Sequence, residues 1–329
     1  MKKSITTIAA IALGVTLAVS GAANAKTVLR YGTDVSRADT QGQGAEFFIE
    51  NVAKKTNGNV EIKFYPDSTL GSTQALVSGA RSGTIDISMV GAHALSGLSK
   101  DFTVLDIPFI FKDKDHAHTA LDGKVGDELF KTLDKAGLVG LAFFENGFRN
   151  MTNNRKPIVT PDDVKGLKIR VPQSAVLVKA FECLGANPVP MAFGELYTAM
   201  ETGAIEAQDH PMPALYSGKF YEVQKYLSLT NHAYTAVAVV MNKRKFDKLS
   251  PEEQQIIIDC AREAAVYQRK LNSDSEAEMI RKMHEESGIE VNDNVQKDLF
   301  VEKTKVLRDD FIKANGPKFV DLIDSYRKD

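Results

Sequence analysis

Apolar positions along residues 27–287 switch between a period of two and a period near 3.6, the signatures of strands and amphipathic helices. Thr27 to Tyr31 (TVLRY) predicts a strand, and Val60 to Tyr65 (VEIKFY) alternates as a half-buried strand does. Between them, Gln43 to Thr56 puts Ala45, Phe48, Ile49 and Val52 on one helical face, and Asn57-Gly58 ends that helix. Gln74 to Ser82 predicts a short helix, and Ile85 to Val90 a strand entering a Gly/Ala turn. Leu138 to Phe144 is a nearly continuous apolar run, as expected of a strand covered on both faces. Leu167 to Val171 predicts a strand stopped by Pro172, and Ser174 to Leu184 a helix closed by Gly185-Ala186-Asn187-Pro188. Phe193 to Thr202 predicts a helix, Ala204 to Gln208 a short strand, and Tyr234 to Met241 (YTAVAVVM) a long strand.

Ser250-Pro251-Glu252-Glu253 supplies an N-cap, a proline at the first position and acids in the first turn. The helix it starts is expected to run to about Glu286, long enough to span two lobes. Strands separated by helices at these spacings predict an α/β fold with mostly parallel sheets. Ligands of such sheets sit at the carboxyl ends of strands, beside helix N-termini.

The first residues set the compartment. Lys2 and Lys3 precede an apolar run from Ile8 to Val19, and Ala23-Asn24-Ala25 fits a small-x-small cleavage site. That run is shorter than the roughly 20 residues a bilayer span needs. Residues 1–25 are therefore expected to be a cleaved signal peptide, with export to the periplasm as a soluble chain starting at Lys26. Removing 25 of 329 residues leaves 304, above the size at which chains commonly split into two domains. No repeat, low-complexity tract or flexible linker is visible, which favours two lobes joined by several crossing segments.

A formal charge of −2 offers no basic field for nucleic acid and no reason to expect lipid binding. Cys183 and Cys260 could pair in an oxidising compartment, but both lie in helix-like runs, and buried free thiols are the favoured reading. The segment from Gly147 to Pro211 carries the candidate chemistry. It holds Arg149 in GFRNMTN and Arg170 in LKIRVP, without a nucleophile–base pair, metal cluster or phosphate loop. Arginines placed by strands without catalytic machinery point to an anion that is gripped rather than converted.

YPDSTLG, SGTIDISM, LDIPFIF, GFRNMTN, KGLKIRVP, GANPVPMAFGELYTAMETGAIEAQDHP and the SPEEQQ helix, in this order, resemble the DctP-type substrate-binding proteins of TRAP transporters over essentially the whole mature chain. The resemblance implies a two-lobed periplasmic binding protein with crossing strands and a long helix between the lobes. Lobe I is then expected over 26–147 with 236–275, and lobe II over 148–235 with 276–329. It implies a small anionic ligand, usually a carboxylate, held in the cleft. Its partner would be a membrane permease driven by an ion gradient. A monomer is expected, with no cofactor, metal or catalytic residue.

Arg170 matches the family's principal ligand arginine, and a planar guanidinium suits two carboxylate oxygens. Arg149 matches a second arginine near the same anion; its alternative is a structural pairing with a carboxylate of its lobe. His210 stands where relatives often carry Asn, and is either a polar ligand contact or a hinge-packing residue. Phe193 matches an aromatic that packs on the ligand. Asp34, Gln74 and His93 fall at expected cleft edges of the first lobe, and Asp34 suits ligand hydroxyls rather than an anion. The sialic-acid-binding branch has an extra first-lobe arginine where this chain has Ala94, which argues against sialic acid. Asp34 and His210 point to a hydroxylated monocarboxylate such as a sugar acid or hydroxy acid, with a short sulfonate or a C4-dicarboxylate as the alternative. A periplasmic enzyme using Asp34, His93 and His210, or a sensor's binding partner, is the rival class.

Overall fold

The structure is a computed structural model and describes residues 26–328; the expected leader lies outside the described residues. Its strands are β1 (Thr27–Thr33), β2 (Val60–Tyr65), β3 (Ile87–Gly91), β4 (Leu138–Phe148), β5 (Asn150–Asn153), β6 (Lys168–Val171), β7 (Asn187–Pro190), β8 (Ala207–His210), β9 (Tyr226–Ser228), β10 (Tyr234–Asn242) and β11 (Glu290–Asn292). They form two sheets, of order β2-β1-β3-β10-β4 and β11-β9-β5-β8-β6-β7. Parallel pairings join β1 to β2 and β3, β6 to β7 and β8, and β9 to β11. The antiparallel ones all involve β10 or β5.

β10 is buried along its whole length. Ala236, Ala238 and Val240 point into a core with Leu76, Phe102 and Leu129, while Val237, Val239 and Met241 point into another with Phe48, Val52 and Cys260. This two-sided burial is why Tyr234–Met241 reads as an unbroken apolar run. The second sheet packs Met151, Ile169 and Phe181 on one side and Leu196, Leu215 and Leu227 on the other. Cys183 and Cys260 are both free.

The helix Pro251–Ser287 starts at a capping box in which Ser250 and Glu253 satisfy each other's backbone N–H, and ends at Gly288 with φ 72°. Its 37 residues span about 55 Å at 1.5 Å per residue. It packs on β4 and the helix Thr40–Lys55 at one end, and on Met212–Ser217 beside the second sheet further along. Gly44 permits the close crossing: a Cβ there would lie 2.8 Å from the Gln268 Cβ and 2.9 Å from the Phe144 ring.

The chain passes between the sheets where β4 runs into β5 and where β9 runs into β10. One packing differs from expectation. Residues 276–329 were assigned to the second lobe, but Phe311, Phe319, Val320 and Ile323 belong to the core of the first sheet with Phe102 and Leu129. Phe300, in the preceding helix Lys297–Thr304, does pack with Ile169 and Phe181 of the second sheet. The chain thus returns to the first sheet near Val306 because its last apolar faces are buried there. No helix among the described residues is long and apolar enough to cross a membrane.

Candidate functional site

Arg149 is the single residue between β4 and β5, so it sits where the chain leaves one sheet for the other. Its backbone N–H donates to the Ala233 carbonyl (2.8 Å), and the His232 N–H donates back to the Arg149 carbonyl (3.3 Å), tying the two crossings together. The residue is 2% exposed. Nε donates to Asp209 Oδ2 (2.5 Å), Nη2 to Asp209 Oδ1 (3.0 Å) and to the Asp209 carbonyl, and Nη1 to Thr235 Oγ1 (3.0 Å). His232 Nε2 also lies 3.1 Å from Asp209 Oδ2. Burial alone would raise the Asp209 carboxyl, but the Arg149 charge and the hydrogen bonds from His232 and Arg149 outweigh it and hold it well below the usual carboxylate range.

Four of the five guanidinium N–H groups of Arg149 are therefore committed, leaving one on Nη1. Arg149 thus forms the structural ion pair expected as its alternative role, one that ties the crossing strands, and still lines the cleft with one free Nη1–H. Asp209 is 60 residues away in sequence, so the pairing depends on the antiparallel register of β5 with β8.

Arg170 lies on β6 and is 3% exposed. Its Nε (3.0 Å) and Nη2 (2.7 Å) donate to the Met191 carbonyl, and Nη1 lies 3.2 Å from His210 Nε2. His210 Nδ1 is 2.5 Å from Gln208 Oε1, which can only accept. The imidazole proton is thus on Nδ1, and Nε2 accepts from Arg170. The Gln208 amide is oriented in turn: its Nε2 donates to Thr152 Oγ1 (2.8 Å), whose hydroxyl donates to Gln224 Oε1 (2.8 Å). Burial first, and then the charges of Arg149 and Arg170, push the His210 pKa well below its ordinary value, so the ring is neutral.

Both His210 ring nitrogens meet protein groups, Arg170 on one side and Gln208 on the other, and the ring lines the cleft beside Arg170. The period of two along β8 separates the roles: Gln208 and His210 face Arg170, while Asp209 faces Arg149. Three Arg170 N–H groups are accounted for, which leaves one each on Nη1 and Nη2, the two ends of a planar fork. Among the described residues no carboxylate forms an ion pair with Arg170. Burial, then the nearby Arg149 charge, lowers its pKa to about 10, so it stays charged at neutral pH.

The other expected residues lie around the same opening. Asp34, after β1, accepts from the Thr73 hydroxyl, and burial raises its pKa. His93, after β3, has a pKa pushed down to about 3 by burial first and then by Arg149 and Arg170, which makes it a poor base. Gln74 is exposed in the first turn of Thr73–Ser82. Phe193 meets His210 and Phe220 edge-on, at 5.5 and 5.6 Å between ring centroids. Arg170, Arg149, His210, Phe193, Asp34, Gln74 and His93 all line one cleft of about 730 Å³, counting its open mouth.

The same cleft contains polar residues that the sequence reading passed over, notably Gln41, Asn146 and Thr235. Gln41 is a buried polar residue near the start of an amphipathic helix. Asn146 interrupts β4 just after its apolar run. Neither lies inside an element the pattern predicts, since the expected helix starts at Gln43 and the apolar run ends at Phe144, so the pattern carried no signal for them.

The family model described as bacterial extracellular solute-binding protein, family 7 (DctP), matches residues 31–314. The chain is 47% identical over 296 residues to the 2,3-diketo-L-gulonate-binding periplasmic protein of Escherichia coli strain K12, covering 90% of each. It is similar to the crystal structure of a TRAP periplasmic solute-binding protein from Polaromonas sp. JS666 bound to D-erythronate, with a TM-score of 0.89, 33% identity and coverage of 92% of this chain and 100% of that one. It is also similar to the sugar acid binding protein of Advenella mimigardefordensis strain DPN7T in complex with galactonate, with a TM-score of 0.87, 32% identity and coverage of 92% and 99%.

Proposed function

Since the chain belongs to the DctP family of extracellular solute-binding proteins, we propose that its cleft captures a small hydroxylated organic acid in the periplasm and hands it to a TRAP membrane permease. One observation carries this reading: Arg170 is a buried cation with no carboxylate partner among the described residues and an unused N–H on each terminal nitrogen. A buried charge is strongly unfavourable unless it is paired. A ligand carboxylate supplies both the opposite charge and the two acceptors the fork needs. Arg149 adds its remaining Nη1–H and long-range attraction, and Phe193 offers an aromatic wall to the carbon chain.

The two lobes correspond to the two sheets, with the crossings at Arg149 and at residues 229–233 as the hinge region. The C-terminal helices from Val306 belong with the first lobe. Arg170, Phe193 and His210 come from the second sheet's side and Asp34, Gln74 and His93 from the first, so a ligand touches both only when they close on it. Binding then shifts the open–closed balance, and the closed surface is what the permease recognises. In this reading the protein acts as a monomer that binds without turnover; the lowered pKa values of His93 and His210 make both weak general bases, which favours binding over catalysis.

Ligands of the similar proteins include 2,3-diketo-L-gulonate, D-erythronate and galactonate, each a carboxylate on an oxygenated chain. The test is a calorimetric titration of Arg170→Lys beside the wild type with these acids. Lysine keeps the charge but loses the fork, so affinity is expected to fall by at least ten-fold, and wild-type affinity in the variant would overturn the reading.

A further inference from the structure

Two buried polar atoms in the cleft have no hydrogen-bond partner among the described residues: Gln41 Nε2 and Asn146 Oδ1. Gln41 is 3% exposed. The carboxylate beside it is Asp39, whose Oδ1 takes the Gln41 backbone N–H (2.8 Å) and whose Oδ2 takes the Ser217 hydroxyl (2.8 Å). Each Asp39 oxygen takes one of these donors; burial raises the Asp39 pKa and the Gln41 amide lies near enough to help lower it, but makes no well-aligned hydrogen bond to the carboxylate.

Asn146 is aimed by a β-bulge. In the β4–β10 ladder, Thr235 lies opposite Gly147 and Ala236 opposite Glu145, so Asn146 is the extra residue. Bulges turn a side chain out of the strand's regular alternation. This one is pinned from behind. Gln268 Oε1 accepts the Glu145 N–H (2.9 Å), and Gln268 Nε2 donates to the Glu145 carbonyl (2.8 Å). Asn272 Nδ2 reaches the Glu145 and Asn146 carbonyls, at 3.3 Å each. The long helix thus satisfies the backbone that the bulge frees, while Asn146 lines the cleft with a side-chain oxygen that no protein group engages.

A donor and an acceptor buried without protein partners must find them in something that occupies the cleft. Gln41 Nε2 calls for an acceptor and Asn146 Oδ1 for a donor. A methylene is neither. A second carboxylate would serve Gln41 but not Asn146, and it would meet the Asp34 carboxylate across the same cleft. A hydroxyl fits both.

We propose that Gln41 and Asn146 are specificity-determining residues that read hydroxyl groups on the chain of a monocarboxylate. The proposal rests on Arg170 holding that acid's carboxylate. Both residues stand on elements of the first sheet's side, opposite Arg170, so the hydroxyls are engaged where the carboxylate is not. Non-hydroxylated monocarboxylates forfeit both contacts and dicarboxylates the one to Asn146, so both are selected against.

The experiment uses the full mature chain and two variants, Gln41→Met and Asn146→Ala. Each is titrated with D-erythronate and D-galactonate and with butyrate and hexanoate, which have the same carbon chains without hydroxyls. Ligand-free melting temperatures are recorded alongside. The wild type is expected to prefer each hydroxy acid over its plain counterpart by at least a hundred-fold. Each variant should bind the hydroxy acids at least ten-fold more weakly, with a ligand-free melting temperature close to wild type, because neither removed atom bonds to a protein group. Hydroxy-acid affinities within two-fold of wild type in both variants would overturn the proposal. So would ligand-free melting temperatures lowered in both, which would make the residues structural. Equal wild-type affinity for erythronate and butyrate would overturn it too while leaving the carboxylate clamp standing. Failure of every acid to bind, or indifference to Arg170→Lys, would bring down the clamp reading as well.

Discussion

Replacing Asp209 by Asn tests whether Arg149 is first a structural residue. Asp209 is 0% exposed, and its carboxylate takes Arg149 Nε at 2.5 Å, Arg149 Nη2 at 3.0 Å and His232 Nε2 at 3.1 Å. Asparagine keeps the shape but turns one oxygen into an NH₂ that faces the guanidinium. The charge of Arg149, a residue 2% exposed, is left without its counter-charge. Removing one partner of such a buried pair costs about 3–5 kcal/mol. At roughly 2 °C per kcal/mol for a chain of this size, the melting temperature should fall by about 6–10 °C at pH 7. The pH dependence follows from the depressed Asp209 pKa. The pair's stabilisation is present above the ordinary carboxylate range and is lost only as pH falls through the lower folded value. The gap between wild type and variant should therefore hold from pH 7 to about pH 4 and narrow only below that. Thermal unfolding followed by circular dichroism reads both effects. Removing both charges, Arg149→Met with Asp209→Leu, should recover part of the loss, because an apolar pair leaves no buried charge behind. A melting temperature within 2 °C of wild type for Asp209→Asn, at roughly 1 kcal/mol, would refute the hinge-lock account of Arg149.

Two further tests concern stability. Burial raises the Asp106 pKa to about 6 even though the Ser174 hydroxyl donates to it at 2.6 Å. Folding therefore takes up a proton between about pH 4 and pH 6, and this contribution is full at low pH and lost as pH rises through 6; Asp106→Asn should flatten that slope in urea unfolding measured from pH 4 to pH 7. Ser250→Ala removes the hydroxyl that caps the Glu253 N–H at 3.2 Å and should lower the unfolding free energy by about 1 kcal/mol, read from the urea midpoint at unchanged slope.

The parts of the fold legible in the sequence are those whose pattern reflects their own surroundings. Tyr234–Asn242 is apolar without a break because neighbours cover both faces, and Pro251–Ser287 announces itself through the Ser250–Glu253 box. The short strands β5, β7, β9 and β11 carry no such pattern. β7 is Asn-Pro-Val-Pro, whose prolines suit only the sheet edge it occupies, and it is a strand because β6 lies beside it. Residues 204–208 were expected as the strand that is observed at Ala207–His210, because Gly203 and the following turn occupy the earlier positions.

The site divides along the same line. Asp34, His93 and Arg170 follow or end strands, so the rule for carboxyl ends of strands places them without any knowledge of partners. What each arginine does was not legible, because it depends on long-range pairing. Arg149 finds Asp209 through the β5–β8 register, and the His210 tautomer is set by Gln208 and Thr152. Asn146 lines the cleft because of a bulge, and a bulge appears only when the opposite strand is counted against it.

The central claim is that this cleft recognises a carboxylate through the free edge of Arg170. Titrating the wild type with D-galactonate and with galactitol, the same carbon skeleton without the carboxylate, tests it most directly. Calorimetry with Arg170→Lys in parallel completes the comparison. The account predicts saturable binding of galactonate, no detectable binding of galactitol, and at least a ten-fold loss for the acid in the variant. Comparable affinity for acid and alcohol, or an unchanged acid affinity in Arg170→Lys, would contradict it.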